Sequence, residues 1–192
     1  MKLLNHLQYP CLTFASLTVL ITIRDEQMNS KNILKGKKIL IVDDEADVLE
    51  SLIELLDKCK IDTASNFEDG KHLLESQPYD LAILDIMGVN GFELLEIANG
   101  QNIPALMLTA HALSEESLNK SAKGGAAYFA PKDKMADIEV FVTDVLEALE
   151  MKKSTWEKWF ERLAGFYDNR FHGTQWREQE KSFWEKKAKI RF

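Results

Sequence analysis

Aspartates, a threonine and a lysine stand in this chain where together they could hold a divalent cation and a phosphoryl group. Asp43-Asp44-Glu45 follows the apolar run Ile39-Leu40-Ile41-Val42, and Asp85 follows Leu81-Ala82-Ile83-Leu84. Thr109 ends Ala105-Leu106-Met107-Leu108, and Lys132 comes directly after Ala126-Ala127-Tyr128-Phe129-Ala130-Pro131. Two adjacent carboxylates repel each other unless a cation joins them. Mg2+ keeps several waters and needs only one or two carboxylates beside a phosphate. A lone carboxylate next to such a metal can act as a nucleophile and become an acyl phosphate. Taken singly, each position has an ordinary explanation. Asp43 and Asp44 could favour the dipole of a following helix, Asp85 could be a loop aspartate, Thr109 a strand-end hydroxyl and Lys132 a solvated lysine. Their joint occurrence at the ends of four apolar runs makes coincidence the poorer account.

The runs themselves predict the scaffold. Strand and helix patterns alternate from Lys38 onward. Strands are expected over Ile39–Val42, Ile61–Ala64, Leu81–Leu84, Ala105–Leu108 and Ala126–Ala130. The first helix begins near Glu45, with Val48, Leu49, Leu52, Ile53, Leu55 and Leu56 at helical spacing. Ser65 or Asn66 caps the second, and Asn90-Gly91 turns into the third, which carries Phe92, Leu94, Leu95 and Ile97. Ser114 caps the fourth, and Gly124-Gly125 ends it. The fifth runs from about Lys134 to Met151, with Ile138, Phe141, Val142, Val145, Leu146 and Leu149 as its buried stripe. Five strands alternating with five helices imply a doubly wound α/β fold with a parallel sheet. Ligands bind such sheets beyond the carboxyl ends of the strands, where all the polar positions fall.

Charge is unevenly distributed. The whole chain carries a formal net charge of −7. Residues 39–151 hold 7 lysines and arginines against 23 acids, whereas residues 152–192 hold 11 against 6 and residues 1–38 hold 6 against 2. So acidic a body would repel nucleic-acid phosphates and suits a metal or a basic partner surface. The two cysteines, Cys11 and Cys59, lack the spacing of a disulfide framework or zinc site, which favours a reduced, cytoplasmic setting. Cys11 to Ile23 is an apolar run too short to span a membrane and followed by Arg24-Asp25-Glu26 rather than a cleavage site. Residues 1–36 read as an extension preceding the folded body, with Met28 an alternative start. All four tryptophans lie within residues 152–192. Trp156, Trp159, Phe160, Leu163 and Phe166 form one helical stripe, His172-Gly173 interrupts it, and Trp176, Phe183 and Trp184 form a second. This basic helical tail is expected to pack on the body, on a second copy or on another protein.

Residues 37–150 resemble the receiver (CheY-like) domain of two-component response regulators. The likeness rests on Ile39-Leu40-Ile41-Val42-Asp43-Asp44-Glu45, Leu84-Asp85-Ile86-Met87, Leu108-Thr109-Ala110 and Pro131-Lys132. The resemblance implies a flavodoxin-like strand order 2-1-3-4-5. It implies that Asp85 accepts a phosphoryl group from a sensor histidine kinase or a phosphotransfer protein. Asp43, Asp44, Asp85 and the backbone carbonyl of Met87 would hold Mg2+. Thr109 would reorient onto the phosphoryl group, Lys132 would pair with its oxygens, and the aromatic Phe129 would swing inward. The consequence would be a switch on the face formed by the fourth helix, fifth strand and fifth helix, with no turnover beyond self-catalysed phosphorylation and dephosphorylation. Met87 and His111 stand where the family tunes dephosphorylation and would gate water.

The sequence departs from the family in two loops. Asp85-Ile86-Met87-Gly88-Val89-Asn90-Gly91 reaches its glycine in six residues and lacks a proline, with Gly88 expected to let the shorter loop turn. Asp133 replaces the proline that normally follows the lysine, so a trans peptide is expected after Lys132. A Mg2+-dependent phosphatase of the haloacid-dehalogenase kind is the alternative. It would place its nucleophile in an Asp-x-Asp motif on the first strand, where this chain has Asp43-Asp44 instead. A scaffold that never uses the site is a third reading.

Overall fold

The computed structural model describes residues 33–110 and 114–189. His111 and the apolar segment around residues 11–23 lie outside them. Five parallel strands form one sheet: β1 (Lys38–Val42), β2 (Lys60–Ala64), β3 (Leu81–Asp85), β4 (Ala105–Thr109) and β5 (Tyr128–Pro131). Their order is β2-β1-β3-β4-β5, the doubly wound arrangement expected. Parallel neighbours need crossovers, which α1 (Ala46–Leu55), α2 (Phe67–Ser76), α3 (Gly91–Gly100) and α4 (Glu115–Lys123) supply, and α5 (Ile138–Glu150) follows β5. Both faces of the central strands are therefore covered, and β3 and β4 are buried at every residue.

Two of these helices start at a side-chain cap. Asn66 Oδ1 accepts from the Asp69 amide at 2.9 Å, and Ser114 Oγ accepts from that of Ser117 at 3.1 Å. Two boundaries differ from expectation. β5 begins at Tyr128, because the turn after α4 continues through Gly125 (φ +91) and Ala126, whose amide still reaches Ser121 O at 3.0 Å. The fifth helix begins at Ile138 after a 3-10 stretch, Lys132–Asp137, in which Lys134 leaves helical geometry at φ −108, ψ 15. The Lys132–Asp133 peptide is trans, as its missing proline predicts.

Beyond α5 lie α6 (Thr155–Arg170), α7 (Gln175–Gln179) and α8 (Lys181–Lys187). Ser154 Oγ opens α6 by accepting from the Trp156 amide at 3.2 Å. The second aromatic stripe, read as one helix, breaks at Glu180 into α7 and α8. That break brings Trp176 and Trp184 together at 5.6 Å and sets both against Trp159. α6 packs on α5 and β5, and all four indoles are buried. Among the described residues, no helix is long and apolar enough to cross a membrane.

Candidate functional site

Each polar group owes its position to a strand that stops beside it. β1 ends at Val42, and Asp43 continues the ladder by donating its amide to Ala64 O at 3.1 Å. The chain then turns into α1, and Asp43 Oδ1 accepts from the Glu45 amide at 3.0 Å. Asp85 is the last residue of β3, and its Oδ2 accepts from the amides of Met87 and Gly88 at 2.9 and 3.0 Å. Thr109 ends β4 and is fully buried; it lies opposite Pro131, one residue before Lys132. Lys132 leaves β5 and reaches across the sheet's edge.

The ammonium of Lys132 gathers these ends. Its Nζ lies 2.8 Å from Asp43 Oδ2, 2.7 Å from Glu45 Oε1 and 3.1 Å from Asp85 Oδ1. Burial works against the charge of Lys132, but the carboxylates outweigh it and hold its pKa above the ordinary value. Asp43 is nearly inaccessible, and burial pushes its carboxyl above the usual range, although Lys132 and the Glu45 amide pull the other way. Asp43 Oδ2 forms no hydrogen bond of proper angle; its contact is the ion pair.

A cavity of about 350 Å³ opens over this cluster, lined by Asp44, Glu45, Asp85, Met87, Gly88 and Lys132, with Ala110 at one side. Asp43, only 1% exposed, does not line it. Asp44 is exposed and lies over Gly88, where a Cβ would meet Asp44 Oδ1 at 1.8 Å. Gly88 is thus needed for this close approach, and the left-handed turn residue is Asn90 (φ 52). Gly91 serves similarly, since a Cβ there would meet Asp85 O at 1.9 Å. Met87 stands 65% exposed at the rim. Among the described residues, no three histidines, cysteines or acids converge as a closed metal cage. Asp44, Glu45 and Asp85 line this polar cavity, and carboxylates in such a setting suit Mg2+, which needs only one or two of them and retains waters.

Of the residues singled out from sequence, Asp43, Asp85 and Lys132 are in direct contact, and Asp44 and Met87 line the same cavity. Phe129 is completely buried, paired across the sheet with Met107, and its ring lies 5.9 Å from that of Tyr167. Glu45 was read only as a helix start, yet it supplies a third carboxylate to Lys132. Its signal was present in the unbroken triplet Asp43-Asp44-Glu45.

A five-stranded parallel sheet with converging carboxylates and a lysine at its carboxyl edge defines a receiver-type α/β domain. Residues 39–143 match the response regulator receiver domain, and the chain belongs to that family. It is similar to a two-component response regulator of Arabidopsis thaliana (35% identical, covering 50% of this chain and 16% of that protein). It is also similar to the response regulator protein PilR of Pseudomonas aeruginosa (32% identical, 52% of this chain, 23% of the relative). A third relative is the transcriptional regulatory protein CusR of Escherichia coli K12 (33%, 57% and 51%). The chain therefore spans about half or less of the length of these curated relatives. Among solved structures, a CheY-like receiver domain protein of Methanospirillum hungatei superposes with a TM-score of 0.56 at 27% identity. That match covers 61% of this chain and 98% of the other. The phosphatase alternative finds no support in these likenesses.

Proposed function

We propose that Asp85 takes a phosphoryl group from a sensor histidine kinase or phosphotransfer protein, and that the chain works as a switch rather than a turnover enzyme. The observation that carries this is the setting of the Asp85 carboxylate. Oδ2 is pinned by two backbone amides, while Oδ1 faces Lys132 at the floor of a polar cavity. In the transfer, the phosphorus–nitrogen bond of the donor's phosphohistidine breaks as a phosphorus–oxygen bond to Asp85 forms, and the imidazole leaves. Lys132 balances charge on the transferred group, and the Met87 and Gly88 amides orient the nucleophile so that little else is required. Asp44, Asp85 and the Met87 carbonyl would hold Mg2+, with Asp43 behind them positioning Lys132. The bound ion would neutralise charge developing on the phosphoryl oxygens. Thr109, Phe129 and the rim residue Met87 keep the roles that the family resemblance gives them.

The setting that fits is cytoplasmic. One relative, CusR, is a transcriptional regulatory protein, but here arginines of the basic tail are engaged in protein contacts. Arg162 pairs with Asp144 and Arg177 with Asp168, which favours a protein rather than a nucleic acid as the tail's partner. The test is incubation with Mg2+ and acetyl phosphate followed by intact mass. A single phosphoryl adduct that is absent in Asp85→Asn is the expected result. Its absence with every small-molecule donor and with phosphohistidine protein would sink the proposal.

A further inference from the structure

The two edge strands of the sheet are treated differently. β2 at one edge buries only Ala64, whereas β5 at the other is buried at all four residues. The cover over β5 is the tryptophan-rich segment. Trp159 Nε1 donates to Phe129 O at 2.6 Å, and Trp156 Nε1 donates to Ala126 O at 3.0 Å. The Phe129 carbonyl of this edge strand and the Ala126 carbonyl just before it are thus used by indoles of the same chain, where a free edge would invite another. Beside them Asp144 on α5, only 2% exposed, binds Arg162 of α6 through both oxygens, with Tyr128 OH at 3.5 Å. A buried carboxylate at this position is tolerable only with its guanidinium docked.

The strand so covered is the one that delivers Lys132. Phe129 lies three residues before that lysine. Its carbonyl holds Trp159, and its ring lies against Tyr167, which stacks on Trp159 at 5.2 Å. Movement of the end of β5 is therefore felt first by this indole. The docked packing also leaves Tyr167 OH and Trp184 Nε1 buried without hydrogen-bond partners, each bearing the penalty of an unmade bond.

We propose that residues 155–189 are the resident occupant of the β5 edge and that phosphorylation of Asp85 loosens them. This rests on the phosphoacceptor reading above. New phosphoryl oxygens compete with Asp43 and Glu45 for the single ammonium of Lys132 and draw it toward Asp85. The carbonyl and ring of Phe129 follow, and the indole contact of Trp159 weakens. The tail then reads the site without a separate output domain having to bind this edge.

All four tryptophans belong to this segment, so selectively excited tryptophan emission reports on it alone. The whole chain is treated with Mg2+ and acetyl phosphate, and mass, emission and amide exchange are followed on one sample beside Asp85→Asn. The expected result is an adduct with red-shifted emission and about fivefold or more faster exchange over 155–170, all absent in Asp85→Asn. An adduct with unchanged emission and exchange overturns the coupling and leaves the phosphoacceptor reading intact. No adduct overturns that reading and the coupling with it. Because loosening and phosphorylation favour each other, Trp159→Phe is expected to raise the phosphorylated fraction, and an unchanged fraction counts against the proposal.

Discussion

Lys132 faces three carboxylates, whereas Asp144 faces one guanidinium that engages both its oxygens. The first cluster has an excess of negative charge and opens onto a cavity. The second is balanced, and its carboxylate is sealed between β5, α5 and α6. A balanced, closed pair specifies one arrangement of the elements that carry it. An unbalanced, open one is completed only by something that arrives. The same α/β frame thus holds a joint on one side of β5 and a binding site at its end. The joint should break when a charge is removed, and the site should tolerate the loss or even gain stability from it.

The largest expected effect is at the joint. Arg162→Met leaves Asp144 buried and unpaired. Because Arg162 is itself partly exposed, we expect a loss of about 2–3 kcal/mol in urea denaturation, at or below the usual range for breaking a buried pair. Replacing both residues, as Asp144→Leu with Arg162→Met, should recover most of that loss, since no charge remains stranded. A double variant as unstable as the single would show that packing of the Arg162 stem, not charge, holds α6. Trp159→Phe should cost less, about 1–2 kcal/mol, by stranding the Phe129 carbonyl. Gly88→Ala sharpens the contrast from the site's side. Its new methyl group would displace the exposed Asp44 carboxylate. Stability should stay within about 0.5 kcal/mol, while adduct formation with Mg2+ slows about 10–100-fold. Equal rates for Gly88→Ala and the parent chain would remove Asp44 from the metal's ligands.

The site was more legible in the sequence than the joint. Strands buried on both faces must be continuous apolar runs, so Leu81–Leu84 and Ala105–Leu108 could be read directly, and the first polar residue after each marked the working edge. Glu45 was harder, because a carboxylate in the first turn of a helix already has an ordinary purpose there. The start of α5 was misplaced because Met135 and Ala136 give no sign that Lys134 leaves the helix. For the tail, periodicity showed which faces are apolar but not what covers them. Asp144 and Arg162 are separated by 18 positions, and no local pattern links a helix-interior aspartate to its partner. The break at Glu180 likewise depends on Trp176 and Trp184 converging on Trp159, which is a tertiary demand.

The smallest effect should have the opposite sign. The carboxyl of Asp43 has a raised pKa because burial opposes its charge, so the folded protein binds that proton more readily than the unfolded chain does. Near neutrality the ionised group therefore subtracts from stability. Asp43→Asn removes the charge and keeps an oxygen for the Glu45 amide. It should make the protein more stable at pH 7. The gain should shrink as pH falls through the folded pKa of Asp43. It should vanish below the ordinary value of 3.8, where the acid is neutral in both states. Paired urea titrations of the two proteins at pH 7 and near pH 3.5 measure this. A variant less stable than the parent at pH 7 would mean that the ion pair with Lys132 outweighs burial. The cluster around Lys132 would then be a joint like the one around Asp144, and the contrast between them would fail.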